Sequence, residues 1–299
     1  MNIETLFMQF FNGLSISSIL LLIAIGLSIT FGIMGVINFA HGEFLMIGAY
    51  TVYLTEKICF NFFGENSFFI ALPISFVVAG LIGLLVEKFL IKHLYGRPYE
   101  AILVTWGLSL IFQQLARNIF GASNVDVISP RILSGGIKIT SYIQLPYNRI
   151  FIIFIAIICV ILVYFYIYKT SSGRKMRAVM QNRNMAACMG INTQKVDSLT
   201  FSLGCGLAGV AGAIVSLLGS IGPSTGQNYI IDSFMVVVLG GVGNLIGTVG
   251  GAIMMGVFNT SFEFLTTSSM GKVIVFLIVI IFLQFRPSGL FAVKSRSLD

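Results

Sequence analysis

Residues 9–44 decide the class of fold, and they read QFFNGLSISSILLLIAIGLSITFGIMGVINFAHGEF. The first part of this stretch stays apolar for about 20 residues, which is the length that an α-helix needs to cross a bilayer. A short segment rich in glycine and polar residues follows, from Gly35 to Glu43. Because helix breaks inside a membrane need protein or water around the freed backbone groups, this segment is predicted to face away from lipid.

The same apolar pattern continues along the chain of 299 residues, of which 57% are hydrophobic and only 10% are charged. The sequence therefore predicts an all-α, polytopic helical bundle that forms a single transmembrane domain over residues 1–299, with about nine spans and a range of eight to ten. Interrupted helices are expected near 35–48 and 229–247. The expected spans are 9–31, 33–55, 67–91, 101–119, 149–168, 198–221, 229–243, 245–266 and 270–286.

Basic residues are concentrated in a few loops and in the tail. The segment 169–197 carries six lysines and arginines against the single acid Asp197, and the tail adds Arg286, Lys294 and Arg296. The positive-inside rule predicts that both regions are cytoplasmic. The net charge of +7 is therefore attributed to membrane topology rather than to nucleic-acid binding.

The glycine-broken segment contains Asn38, His41 and Glu43. Ionisable groups inside a membrane are costly and usually face a bundle interior or a water-filled path, so these side chains are candidates for a substrate pathway. The alternative is a capping cluster, in which Asn38 or Glu43 satisfies backbone donors at the break. Both interpretations stay open at this stage.

A second polar feature is predicted on the span 101–119, where Thr105, Ser109 and Gln113 recur every four residues and share one helix face, with Trp106 beside them. This stripe is expected either to hold helices together by hydrogen bonds or to line the route of a polar solute.

Two further candidates lie in the C-terminal half. Asp232 is expected to be a helix N-terminal cap or, less favoured, a ligand. Asn244 lies in GGVGNLIGTVGGA, which is faintly similar to the first broken segment. Paired interrupted helices in the two halves of a chain indicate a transport pathway. The spacing of Gly204, Ala208 and Gly212 is typical of close helix packing.

Catalytic chemistry has little support in the sequence. His41 and His93 are the two histidines, and the chain contains neither an H-E-x-x-H motif nor a G-x-S-x-G nucleophile elbow. No catalytic or metal-binding residues are predicted. A P-loop is also absent from the sequence, so any ATP would have to be bound by another subunit.

The cytoplasmic segment 169–197 contains TSSGRKMRAVMQNRNMAACMGIN, in which basic and apolar residues alternate in a helix-forming composition. An amphipathic helix of this kind is suited to docking a soluble partner. The alternative is a basic helix that lies on anionic lipid.

These motifs together resemble a known family. INFAHGE, TWGLSLIFQQ, the basic loop that ends in AACMGIN, and VVVLGGVGNLIGTVGGA are similar to the inner-membrane permeases of branched-chain amino acid type ABC importers. Within that family, LPYNRI, GQNYIIDSFMVVVLGGVGN and RPSGLFAVKSR most resemble the urea-uptake branch. The resemblance extends over nearly the whole chain, from Asn12 to Arg296.

The resemblance implies a multi-pass permease in the bacterial inner membrane. Its expected partners are a second homologous permease, two cytoplasmic ATPases that use ATP and Mg, and an extracytoplasmic substrate-binding protein, while this chain binds no cofactor. Urea is the expected substrate, with branched-chain amino acids or short amides as the alternative and a passive urea channel as a further one. The resemblance also implies an ATPase-coupling segment whose candidate residues are Gly173, Arg174, Arg177, Arg183, Ala186, Ala187 and Gly190.

Overall fold

The computed structural model describes residues 3–140 and 143–291, so Lys294 and Arg296 of the basic tail lie outside the described residues. Nearly all regular structure in the described residues is helical, as predicted. The helices are α1 (Ile3–Met34), α2 (His41–Phe63), α3 (Ser67–Phe89), α4 (Pro98–Phe120), α5 (Tyr147–Lys169), α6 (Ser171–Gln181), α7 (Arg183–Cys188), α8 (Thr193–Val215), α9 (Thr225–Gly240), α10 (Leu245–Leu265) and α11 (Ser268–Phe285).

Six helical stretches of the described residues are long and apolar enough to cross a membrane, which confirms the predicted polytopic bundle. One of the six, His41–His93, contains both α2 and α3. The shorter α9 has 16 residues, fewer than the roughly 20 that span a hydrocarbon core. The six stretches are Glu4–Met34, His41–His93, Tyr147–Lys169, Thr193–Val215, Leu245–Leu265 and Ser268–Phe285.

Two central helices, α1 and α8, carry most of the packing. Both are buried along much of their length and contact each other, and α8 also packs against α2 and α3. Close approach depends on glycine: a Cβ on Gly204 would lie 2.8 Å from the carbonyl oxygen of Gly26, and a Cβ on Gly48 would overlap the backbone of Gly209. The small-residue face predicted on α8 is thus used for helix packing.

Both predicted interruptions occur, but they are shorter than expected. The first lies between Met34 and His41, where Gly35 has a φ of 63°, so the predicted start of the second span at residue 33 is wrong. The second is confined to residues 241–244, where Gly241 has a φ of 98°. Glycine adopts positive φ values readily. A residue in this conformation does not continue a right-handed helix, so each helix ends there.

Asn38 and Asn244 play similar local roles in the two breaks. The Oδ1 of Asn38 accepts a hydrogen bond from the backbone N–H of Ala40 (3.0 Å), and the Oδ1 of Asn244 accepts one from Ile246 (3.1 Å). In both cases the side chain bonds the backbone two residues ahead, which is an Asx turn. This shared geometry supports the predicted relation between the two broken segments.

The all-α prediction missed a β-hairpin. Strands β1 (Gly136–Thr140) and β2 (Ile143–Pro146) pair antiparallel, with Ile137 opposite Leu145. Val125 and Ile221 also exchange two backbone hydrogen bonds, of 2.8 and 2.9 Å, which tie the α4–α5 connection to the α8–α9 connection. These strands are too short for their alternation to stand out in the sequence.

The basic segment 169–197 is helical, as its composition predicts, but it forms two short helices, α6 and α7, before α8 begins. Thr170 caps α6 by accepting a hydrogen bond from the backbone N–H of Gly173 (3.0 Å). Asn182 then separates the helices and caps α7 by accepting one from Met185 (2.9 Å). Asparagine and threonine are favoured caps because their oxygens satisfy the free N–H groups of a first helical turn.

Candidate functional site

Glu43 is the centre of a buried polar cluster between α2 and α4. It lies in the first turn of α2 and is 1% exposed. Its Oε1 accepts hydrogen bonds from Ser109 Oγ and from Gln113 Nε2, both at 2.8 Å, and Gln113 Nε2 also lies 3.2 Å from Ser109 Oγ. The polar stripe of α4 therefore faces α2 and fastens the two helices together. We call Glu43, Ser109 and Gln113 the Glu43 cluster.

The α1–α2 break adjoins this cluster. Thr105, the first member of the stripe on α4, accepts a hydrogen bond from the backbone N–H of Phe39 (3.2 Å). His41 Nε2 lies 3.3 Å from the carbonyl oxygen of Ile23 on α1, so a proton on Nε2 would be donated to that oxygen. The break is thus held by α4 on one side and by α1 on the other.

Three buried polar atoms around the break have no hydrogen-bond partner among the described residues. They are Oε2 of Glu43, Nδ1 of His41 and Nδ2 of Asn38. Buried polar atoms without partners are unusual because each costs free energy. With the His41 proton on Nε2, two acceptors (Glu43 Oε2 and His41 Nδ1) and one amide donor (Asn38 Nδ2) remain free for a solute or water.

The capping alternative holds for Asn38 and fails for Glu43. Asn38 accepts a backbone hydrogen bond within the break, whereas the bonds of the Glu43 carboxyl group go to side chains of α4. A carboxyl group held by another helix serves helix docking or solute binding rather than capping.

The other three pathway candidates lie apart from the Glu43 cluster. Trp106 is 55% exposed and points to the open face of α4. Asn244 caps α10 and donates from Nδ2 to the carbonyl oxygen of Phe291 (3.3 Å). Asp232 forms an ion pair with Lys272 of α11 at 3.2 Å. The predicted cap at Asp232 is wrong because α9 begins seven residues earlier, at Thr225.

A cavity of about 570 Å³ opens between α1, the end of α5, α6 and the second break. Its polar lining includes Ser28, Arg177 and Asn244. Sequence analysis missed Ser28, whose hydroxyl accepts hydrogen bonds from Gly243 N (3.2 Å) and from the Thr248 hydroxyl (3.1 Å). A lone serine in an apolar span gives no sequence signal of this kind.

Two of the predicted coupling residues are partly exposed and bond to helices of the membrane domain. Arg177 donates to the carbonyl oxygen of Ile167 and lies 5.2 Å from the ring centre of Tyr168. Arg183 forms an ion pair with the buried Asp197. These arginines fix α6 and α7 to the bundle, and their predicted contact with an ATPase stays a prediction.

The remaining coupling residues divide into a buried and an exposed group. Gly173 and Ala186 are buried, and a Cβ on Gly173 would overlap the carbonyl oxygens of Tyr166 and Ile167. Arg174, Ala187 and Gly190 are exposed. Met185 and Met189 of the same segment are 61% and 76% exposed.

Within the described residues, no three histidine, cysteine, aspartate or glutamate side chains form a group that could hold a metal ion.

Comparison with known proteins identifies the family. Residues 9–283 match the family described as branched-chain amino acid transport system / permease component. The chain is 29% identical over 292 residues to the high-affinity branched-chain amino acid transport permease BraD of Pseudomonas aeruginosa, with 94% of each chain covered. It is 28% identical over 297 residues to LivH of Escherichia coli, again with 94% of each covered.

A more distant similarity extends to sugar permeases. The chain is 32% identical over 132 residues, or 42% of its length, to the ribose import permease RbsC of Bacillus subtilis. No solved structure matches the chain. Because the family match covers most of the chain, this multi-pass inner-membrane protein belongs to the permease component family of branched-chain amino acid transport systems.

Proposed function

We propose that the chain is one of two permease subunits of an ABC importer and that it carries branched-chain amino acids. The named relatives transport such amino acids, and they align over 94% of this chain. No comparison supports urea, which the sequence motifs favoured, so the amino acid alternative is the better reading. The lack of a P-loop in the sequence supports separate ATPase subunits that use ATP and Mg.

The observation that carries the pathway proposal is the half-satisfied carboxyl group of Glu43. Its Oε1 holds α4, while its Oε2 is buried and has no partner among the described residues. An amino acid carries an ammonium group, which suits Oε2, and a carboxylate, which suits the free Nδ2 of Asn38. Phe44 and Phe112, whose ring centres are 5.9 Å apart, give an aliphatic side chain apolar neighbours.

The Glu43 cluster must open for a solute to reach it, because Glu43, Ser109 and Gln113 are each less than 5% exposed. Among the helices, α4 packs mainly on α2. A shift of α4 against α2 would therefore expose the cluster while leaving the central packing of α1 and α8 intact. We assign this movement to alternating access, driven from the cytoplasmic side.

We assign ATPase docking to the exposed surface of α7 and the residues after it. Met185 and Met189 project there, and flexible methionine side chains are common on surfaces that bind proteins. Replacing both with glutamate is expected to prevent copurification of the ATPases, whereas replacing both with leucine is expected to preserve it. Normal copurification of the glutamate variant would refute docking at this surface and favour the alternative of a segment that lies on lipid.

On the opposite side, the loop that contains the β-hairpin is the proposed contact for a substrate-binding protein. Ile128, Ile132 and Ile137 are 50%, 68% and 46% exposed in this loop. An ion pair between Arg131 and Glu65 (2.9 Å) and the backbone hydrogen bonds between Val125 and Ile221 attach this loop to the bundle. It therefore offers apolar contacts on a positioned support.

The substrate is tested by copurifying the complex with its ATPases and measuring ATP hydrolysis in the presence of the binding protein. Leucine is expected to stimulate hydrolysis, and urea is not. Stimulation by urea alone would refute the amino acid assignment. Urea uptake that persists without ATPase subunits would instead support a passive channel and refute the importer.

A further inference from the structure

Five residues form a second buried polar cluster at the cytoplasmic end of the bundle. Glu87 on α3 and Asp197 on α8 are both 0% exposed. They are joined by side chains from three other positions of the chain, and the role of the cluster follows from which helices it connects. We call it the α7 anchor, and its members are Glu87, Tyr95, Arg183, Asp197 and Ser198.

Hydrogen bonds join α3, α8 and the connection before α4 within the α7 anchor. Tyr95 Oη donates to Glu87 Oε1 at 2.8 Å, and Ser198 Oγ donates to Glu87 Oε2. Burial raises the pKa of Tyr95, so its hydroxyl stays protonated and keeps its role as a donor. Both oxygens of Glu87 are therefore occupied by partners from separate elements.

Arg183 connects α7 to this network in two ways. Both of its terminal nitrogens bond Asp197, with Nη1 at 3.2 Å from Oδ1, and its guanidinium lies 4.9 Å from the ring centre of Tyr95. A paired fork of this kind fixes direction as well as distance, which a lysine cannot reproduce. Since Arg183 is the first residue of α7, the position of α7 is fixed relative to α3 and α8.

From the α7 anchor, packed aromatic rings lead to the Glu43 cluster. Phe201 lies one turn beyond Asp197 on α8, and its ring centre is 6.1 Å from that of Phe44, the residue after Glu43. Phe44 also contacts Phe112 of α4. The apolar cluster that contains these rings includes the segment around Tyr95 as well. Contiguous packing of this kind can carry mechanical coupling between two sites.

We propose that the α7 anchor transmits ATPase-driven movement of α7 through α3 and α8 to the Glu43 cluster. Arg183 and Tyr95 act as positioning residues that make α7 move together with these helices. The inference rests on the proposed function, because it requires ATPases that dock on α7. It adds a residue-level route between the ATPase surface and the solute-facing groups.

Tyr95→Phe and Arg183→Lys test the proposal in reconstituted complexes. Tyr95→Phe keeps the ring under Arg183 and removes only the hydrogen bond to Glu87, and Arg183→Lys keeps the charge and removes the fork. Leucine uptake and ATP hydrolysis are measured on the same proteoliposomes. We expect ATPases to stay bound and hydrolysis to continue, while leucine taken up per ATP falls at least about fivefold, the lower range of allosteric coupling.

Matched controls separate coupling from general damage. Tyr99→Phe changes a tyrosine that is 83% exposed nearby, and Lys88→Gln removes an exposed charge next to Glu87; both are expected to leave uptake per ATP unchanged. An unchanged ratio of leucine uptake to ATP hydrolysis in both anchor variants would overturn the inference. A parallel fall of uptake and hydrolysis leaves this ratio unchanged and would overturn it too. A wild-type complex whose uptake ignores ATP would overturn the proposed function and the inference with it.

Discussion

Replacement of Glu43 by glutamine separates helix docking from solute binding. The amide oxygen of glutamine can still accept the hydrogen bonds that Oε1 receives from Ser109 and Gln113. The other end of the group changes from a free acceptor at Oε2 to an amide donor. Docking of α4 should therefore survive, while contact with an ammonium group should be lost.

The expected magnitudes differ for the two roles. Glu43→Ala leaves the hydroxyl of Ser109 and the amide of Gln113 without their shared acceptor, and unsatisfied buried groups cost about 1–3 kcal/mol each. Because these two side chains also lie within hydrogen-bond distance of each other, we expect the alanine variant to lose about 2 kcal/mol of unfolding free energy. Glu43→Gln should lose less than about 1 kcal/mol.

Leucine uptake, unlike stability, should fall strongly in Glu43→Gln. One hydrogen bond between Oε2 and a charged ammonium group is worth about 1.5–3 kcal/mol, so its loss lowers the efficiency of leucine uptake about 10- to 150-fold. The assay combines thermal unfolding of the purified complex with ATP-driven leucine uptake. Near-wild-type uptake by Glu43→Gln would refute a role in solute binding, and Glu43 would then be a docking residue alone.

Two further predictions concern packing and ion pairing. Gly48→Ala should destabilise the chain by about 1–3 kcal/mol in thermal unfolding, because the added Cβ would overlap the backbone of Gly209. Gly107→Ala is the control: its Cβ would meet open space, so the change should be neutral or slightly stabilising. Equal effects of the two variants would contradict the packing account. Asp232→Asn should destabilise the docking of α11 by about 1 kcal/mol, since Lys272 is 40% exposed and solvent weakens the pair. The double variant with Lys272→Met should recover part of that loss, and a larger loss than in the single variant would contradict the pairing.

Features set by local spacing could be predicted from the sequence. The length of the apolar runs predicted a polytopic helical bundle, and the four-residue recurrence of Thr105, Ser109 and Gln113 placed them on one face. Glycine at 35 and 241 marked the two breaks, since a positive φ there needs a residue without a Cβ. Glu43, which bonds to that face of α4, was a candidate because placing an ionisable side chain inside a membrane costs free energy.

Features set by tertiary contacts could not be predicted in this way. Arg183 reads as an exposed basic residue in a basic loop, yet its partner Asp197 follows 14 residues later on another helix. Asp232 resembles a cap until the true start of α9 is known, and its partner Lys272 is 40 residues away. Such pairs depend on how helices pack, which spacing along one helix does not specify.

Substrate specificity depends on few contacts, so sequence motifs predict the substrate less well than the architecture. LPYNRI, GQNYIIDSFMVVVLGGVGN and RPSGLFAVKSR favoured urea, while relatives named as branched-chain amino acid permeases align over almost the whole chain. A carboxyl oxygen and an amide donor suit both solutes, so the polar groups alone do not separate them. The family comparison therefore changes the expected substrate and leaves the architecture unchanged.

The most direct test of the importer assignment is leucine uptake by proteoliposomes that contain this chain, its permease partner and both ATPases, with binding protein outside. The account predicts that radiolabelled leucine accumulates only when ATP is enclosed and that excess urea does not reduce its uptake. Accumulation that is independent of ATP, or uptake of urea in place of leucine, would contradict it.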